Sequence, residues 1–185
     1  MPKFVAIVAL PSELPIEIWN RNEPLIYSGV GKLNAAIATL ESINKYQPEF
    51  ILNLGTVGSI RNDISGVVEI KKVFQRDFDA TPLVPKGVVP FDEKPHVLSS
   101  DFGEYSCGSG DTFVRDKEEW LLENKIDVVD MELIGIAHAC FSKNTPWRSF
   151  KFITDYVSIN SGDDWRSNLE KSGIALIKAI DFISS

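Results

Sequence analysis

Phe4-Val5-Ala6-Ile7-Val8-Ala9-Leu10, followed at once by Pro11-Ser12-Glu13-Leu14-Pro15, decides the fold. An unbroken apolar run with β-branched residues reads as a strand buried on both faces, and the prolines turn the chain where it ends. The run could pass for the apolar part of a secretory leader. It has no small-residue cleavage site, however, and Pro11-Ser12-Glu13 stops it early. The other apolar runs are far too short for a bilayer span.

Working outward, strands alternate with helices. Residues 25–30 form a second strand ending in Gly29-Val30-Gly31, and a helix follows over 32–46. Its periodicity puts Leu33, Ala36, Ile37, Leu40 and Ile43 on one face. Residues 50–54 are a third strand, ended by Gly55-Thr56-Val57-Gly58, and 67–74 a fourth. Residues 77–95, rich in proline and glycine, read as a long loop. Short strands at 104–107 and 128–129 flank a short helix at 117–123. A helix over 133–141, a strand over 150–154 and a last helix over 168–183, with Leu169, Ile174, Leu176, Ile177 and Ile180 inward, complete the pattern. Alternation of this kind predicts a three-layer α/β/α domain over residues 1–185, with a central mixed, mostly parallel sheet. Ligands of such sheets bind beyond the carboxyl ends of the strands.

The bulk properties narrow the function. The 185 residues carry a formal charge of −7 with no basic run, which excludes a nucleic-acid surface. Cys107 and Cys140 are too few for a disulfide framework and lack metal-ligand spacing, so both read as reduced thiols of a cytoplasmic protein. His96 and His138 are isolated, and no metal or cofactor is expected. Gly29-Val30-Gly31-Lys32-Leu33-Asn34 fails as a dinucleotide fingerprint, because Asn34 stands where a third small residue belongs and Asn53 where an acid should end the next strand. It fails as a phosphate loop too: no glycine lies five residues before Gly31, and Leu33 replaces the magnesium-binding hydroxyl. No Gly-x-Ser-x-Gly elbow occurs.

Three carboxylates remain at strand ends: Glu13, Glu132 and Asp155. Carboxylates in one cleft can activate water, protonate a leaving group or hold sugar hydroxyls, the three requirements of glycoside cleavage. Each could equally be a helix cap or an exposed loop residue. Glu132 is the most open to that reading, since acids favour first turns.

Seven segments in order then resemble the nucleoside phosphorylase/nucleosidase superfamily, above all its 5′-methylthioadenosine/S-adenosylhomocysteine nucleosidases. They are Ile7–Glu13, Ser28–Ala36, Leu52–Gly58, Arg76–Thr81, Gly108–Val114, Val129–Glu132 and Phe152–Asp155. The resemblance implies roles. Glu13 would activate the attacking water and Asp155 would act as the acid at purine N7. Thr154 would neighbour it. Asp130, Met131 and Glu132 would serve the ribose, with Glu132 accepting from its hydroxyls. Phe113 would stack on the purine and the Val114 backbone would read its edge. Thr56, Val57 and Gly58 would line the ribose and water side. A homodimer acting on a small purine nucleoside, with water as co-substrate and no nucleic acid or membrane partner, follows from the same resemblance.

Hydrolysis is preferred over phosphorolysis. Phosphorylases of this superfamily surround their dianion with arginines, and here Asn53 and Pro11-Ser12-Glu13-Leu14-Pro15 hold those positions. A phosphorylase, a futalosine hydrolase and a nucleoside-binding protein stay open as alternatives. The chain also departs from the pattern. A helix between Thr81 and Glu104 is missing, Asp130 replaces a glutamate, Lys151 replaces an arginine, and the stretch from Tyr156 to Trp165 is unlike the usual loop.

Overall fold

The computed structural model describes residues 1–92, 94–157 and 161–184. The first strand, β1 (Phe4–Val8), is buried at every position. Its alternation divides it between two cores. Val5 and Ile7 join a cluster with Ile51, Val73, Leu133 and Ile136, while Phe4, Ala6 and Val8 face Leu14, Leu52, Phe150, Leu176 and Ile180. Fully burying side chains of this size is worth about 1.5–3 kcal/mol each, so one strand anchors both layers.

Among the described residues the other strands are β2 (Leu25–Tyr27), β3 (Phe50–Ser59), β4 (Val67–Gln75), β5 (Val97–Ser99), β6 (Tyr105–Ser109), β7 (Val128–Asp130) and β8 (Trp147–Tyr156). The helices are α1 (Lys32–Tyr46), α2 (Glu119–Glu123), α3 (Leu133–Ser142) and α4 (Ser161–Ala179), with 3-10 turns at Ile16–Ile18 and Asp181–Ser184. The sheet order is β2-β1-β3-β7-β6-β4-β5, and β8 pairs with both β3 and β4. Strands β3, β7, β6, β4 and β8 therefore close a ring. Pairs β1–β2, β1–β3, β3–β8, β4–β6 and β6–β7 run parallel, and β3–β7, β4–β5 and β4–β8 antiparallel. This is the mixed, mostly parallel sheet that the alternation predicts.

Three readings of the sequence need correction. Strand β3 does not stop at Leu54: it runs to Ser59, so Thr56, Val57 and Gly58 lie within a strand, paired to β8. Helix α1 buries Ala35, Thr39, Ser42 and Ile43, whereas Leu33 (72% exposed) and Ile37 (48%) face outward. The cause is the close approach of α3. A Cβ added at Gly135 would lie 2.1 Å from the Lys32 carbonyl oxygen, so the inner face of α1 must be small. Helix α4 begins at Ser161 rather than near residue 168, and turns Ser172, Gly173 and Leu176 inward, leaving Ile174 exposed, with Ile180 buried just past its end. A Cβ at Gly173 would meet Ile18 and the Glu13 carbonyl, which again selects a small residue at the contact. Of the atypical stretch 156–165, residues 158–160 lie outside the described residues. Residues 77–92 and 94–96 contain no helix, as the shortened segment predicts.

Candidate active site

A cavity of about 200 Å³ opens where the ends of β1, β3, β6, β7 and β8 meet. Glu13, Thr56, Val57, Gly58, Phe113, Val114, Asp130, Met131, Glu132 and Asp155 all line it. Of the residues read from the sequence, Thr154 lies behind the wall. Arg76 and Trp165 also line it and were not singled out.

Glu13 follows the turn after β1 and is buried. Its Oε1 accepts from the Thr56 backbone N–H at 2.9 Å and from the Thr56 hydroxyl at 2.6 Å. Its Oε2 accepts from the Leu10 N–H at 3.1 Å. The Thr56 contacts exist because β3 carries on past Leu54, beyond the end of β1, and so reaches the turn that carries Glu13. With Oε1 doubly bonded, the remaining acceptor capacity is on Oε2, which suits a base for water.

Asp155 is delivered by an irregularity. Along β3 and β8, Val57 faces Ile153 but Gly58 faces Asp155, so Thr154 is an extra residue on β8. Such bulges re-aim side chains beside active sites. The Thr154 hydroxyl, thrown out of register, lies 3.2 Å from the Val57 carbonyl oxygen and 2.9 Å from Asp155 Oδ1. Asp155 Oδ2 lies 3.0 Å from where a Cβ on Gly58 would sit, so that glycine leaves room for the carboxyl group.

Glu132 sits at the N-terminus of α3 but makes no capping bond. Its Oε1 instead accepts from the Gly31 N–H at 3.0 Å, which ties the β7–α3 turn to the start of α1. The cap reading therefore fails for Glu132 and passes to Asp130, whose Oδ2 accepts from the Leu133 N–H at 3.0 Å. The same oxygen meets the Lys151 ammonium at 2.8 Å. Burial alone would raise the Asp130 carboxyl. Lys151, with hydrogen bonds from Ser109 and Leu133, reverses this and holds it below the ordinary range. Lys151 is raised in turn, because Asp130 and Glu132 outweigh its own burial. Burial, and next the negative charge of Asp130, push Glu132 up to about 7. Asp130 thus borders the cavity while its charge is committed to the protein interior.

Arg76, at the end of β4, is buried and spent on one loop. It donates to the carbonyl oxygens of Gly108, Gly110 and Thr112 and to the Thr112 hydroxyl. It thereby shapes the turn before Phe113. Phe113 is half exposed at the cavity mouth, and Val114 is buried against Ile60, Leu121 and Val129. Among the described lining residues Arg76 is the one cation, against four carboxylates. Arg76 was findable in the sequence, since it opens one of the seven resembling segments. Trp165 was not, because a helix starting near 168 leaves it in a loop.

The model of the phosphorylase superfamily matches residues 17–183, and the chain belongs to that superfamily. It is 29% identical over 181 residues, 86% of this chain and 78% of the relative, to a 5′-methylthioadenosine/S-adenosylhomocysteine nucleosidase of Buchnera aphidicola. It is 28% identical over 189 residues, 90% of this chain and 82% of the relative, to the Staphylococcus aureus protein of the same name. Among solved structures, the Helicobacter pylori 5′-methylthioadenosine/S-adenosylhomocysteine nucleosidase superposes with a TM-score of 0.89 at 21% identity, covering 100% of this chain and 98% of the other. The futalosine hydrolase of the same organism reaches 0.87 at 22% identity, covering 96% and 94%.

Proposed function

We propose that the chain hydrolyses the N-glycosidic bond of purine nucleosides of the 5′-methylthioadenosine type, releasing the base and a free sugar. The observation that carries this is the meeting of Glu13, Glu132 and Asp155 around one cavity whose sole described cation, Arg76, is already spent on backbone carbonyls. A phosphate dianion finds no partner there. A neutral purine and an uncharged thioether do.

In this reading Asp155, protonated, gives its proton to purine N7 as the C1′–N9 bond breaks and its electron pair passes into the ring. Water adds to C1′ and loses a proton to Glu13. Ionised Glu132 accepts from the ribose hydroxyls beside Met131. Thr56, Val57 and Gly58 wall the water side, Phe113 stacks on the base and the Val114 backbone meets its edge. Leu33 and Ile37 on α1 are exposed, as are Val30 and Phe113 at the cavity mouth. These exposed apolar side chains support a homodimer. Among the described residues no helix is long and apolar enough to cross a membrane, and buried free thiols at Cys107 and Cys140 favour a cytoplasmic setting.

The test is base release from methylthioadenosine, S-adenosylhomocysteine, adenosine, inosine and futalosine, each with and without phosphate. Release of base and free sugar from the thioether nucleosides without phosphate is expected. Release that requires phosphate would overturn hydrolysis, and thermal stabilisation without turnover would mark a binding protein. Asp155→Asn is expected to lower turnover by about 10²–10⁴-fold with nucleoside binding retained.

A further inference from the structure

Three side chains on one face of α4, spaced three and four residues apart, bond to the parts of the chain that carry the two outer carboxylates. Ser172 Oγ lies 2.8 Å from the Glu13 carbonyl oxygen and 2.6 Å from that of Leu169, and Asn168 Nδ2 donates to the Thr154 carbonyl oxygen at 2.8 Å. Trp165 Nε1 lies 3.0 Å from Thr56 Oγ1. The first two fix the helix. The third does something more, because its acceptor is also a donor. An indole N–H can only donate, and a threonine hydroxyl has a single proton. Thr56 Oγ1 must therefore accept from Trp165, and its proton is directed to Glu13 Oε1 at 2.6 Å. The bonds align as a relay from indole to hydroxyl to carboxylate, in a buried setting where each bond strengthens the next. Trp165 also forms part of the cavity wall. A phenylalanine there would keep the wall and lose the relay.

We propose that Trp165 is a positioning residue for the hydrolysis. Its N–H sets the rotor of the Thr56 hydroxyl, which holds the Glu13 carboxylate with Oε2 turned to the attacking water. This rests on the reading of Glu13 as the base. Helix α4 thus supplies the final constraint on a carboxylate that lies near the opposite end of the chain.

The experiment measures kcat and KM for base release in Trp165→Phe, Thr56→Val and the double variant, and the indole ¹H–¹⁵N resonance that Trp165→Phe removes. Trp165→Phe should lower kcat roughly three- to tenfold, the scale of one neutral hydrogen bond, with KM within about twofold. The double variant should match Thr56→Val alone, since both changes break one relay. The Trp165 indole resonance should move in Thr56→Val. An active wild type with additive losses, with a loss confined to KM, or with an unmoved indole resonance overturns the role of Trp165 alone. A wild type that releases no base from any of the nucleosides overturns the reading of the site, and the catalytic role of Trp165 falls with it.

Discussion

The Asp130 carboxylate and the Lys151 ammonium meet at 2.8 Å with 0% and 2% of their side chains exposed, at the edge of the cavity that Asp130 lines. Removing one partner leaves an uncompensated buried charge, which typically costs about 3–5 kcal/mol. Lys151→Met should destabilise the fold by about that much. Lys151→Met with Asp130→Asn should recover most of it, as the amide can still cap Leu133. Urea denaturation of the two variants reads the difference. A double variant no more stable than the single would mean the pair is not the source of the loss.

Glu132 makes stability depend on pH. Its folded value of about 7 lies above the ordinary 4.5, so the unfolded chain gives up this proton first. Stability is full below pH 4.5 and falls as pH rises through 7, by up to about 3 kcal/mol at 1.36 kcal/mol per unit. Glu132→Gln should flatten that part of the curve, as measured by denaturant midpoints from pH 4.5 to 8. A bound ribose favours the ionised form, so wild-type affinity for a nucleoside analogue should increase from pH 6 to 8, and that of Glu132→Gln should not.

Gly58→Ala tests the space left for Asp155. The new Cβ would sit 3.0 Å from Asp155 Oδ2 and 3.4 Å from the Val129 and Val157 methyls. Displacement of the carboxyl group by a few tenths of an ångström should cut base release more than tenfold, while overpacking lowers stability by about 1–3 kcal/mol. Paired kinetics and chemical denaturation separate the two effects. Unchanged turnover would show that Asp155 has room to give.

Asn53, which occupies the position of a phosphorylase arginine, turns out to be an internal brace. Its Nδ2 donates to the Ile7 carbonyl oxygen at 3.1 Å and its Oδ1 accepts from Ser149 Oγ at 2.9 Å. It therefore joins β1, β3 and β8, and does not line the cavity. Asn53→Leu should cost roughly 1–3 kcal/mol through the unpaired Ser149 hydroxyl, with the phosphate response of base release unchanged. A variant that gains phosphate dependence would place this position in the site after all.

Much of this was legible in the residues, and the failures have common causes. Strand β1 announced itself because burial on both faces leaves an unbroken apolar run. The carboxylates stood out because strand ends gather chemistry. Glycines ordinarily weaken or end strands, which hides the extent of β3, whereas here Gly55 and Gly58 leave room for Lys151, Glu13 and Asp155. On α1, periodicity finds an apolar stripe without saying what covers it. A close helix contact took Ala35, Thr39 and Ser42 instead. The Asp130–Lys151 pair joins distant strands, and neither local pattern nor spacing reports such a contact.

The contact between Ser172 and the Glu13 carbonyl spans 159 residues, and this bears on how the chain comes off the ribosome. Strand β1 and the Glu13 turn emerge early and wait, uncovered on one face, until α4 is made. A chain that stops before α4 lacks the Ser172 contact, the Trp165 relay and the cover that Leu176 and Ile180 give Phe4, Ala6 and Val8. The site is therefore complete only once α4 has been made.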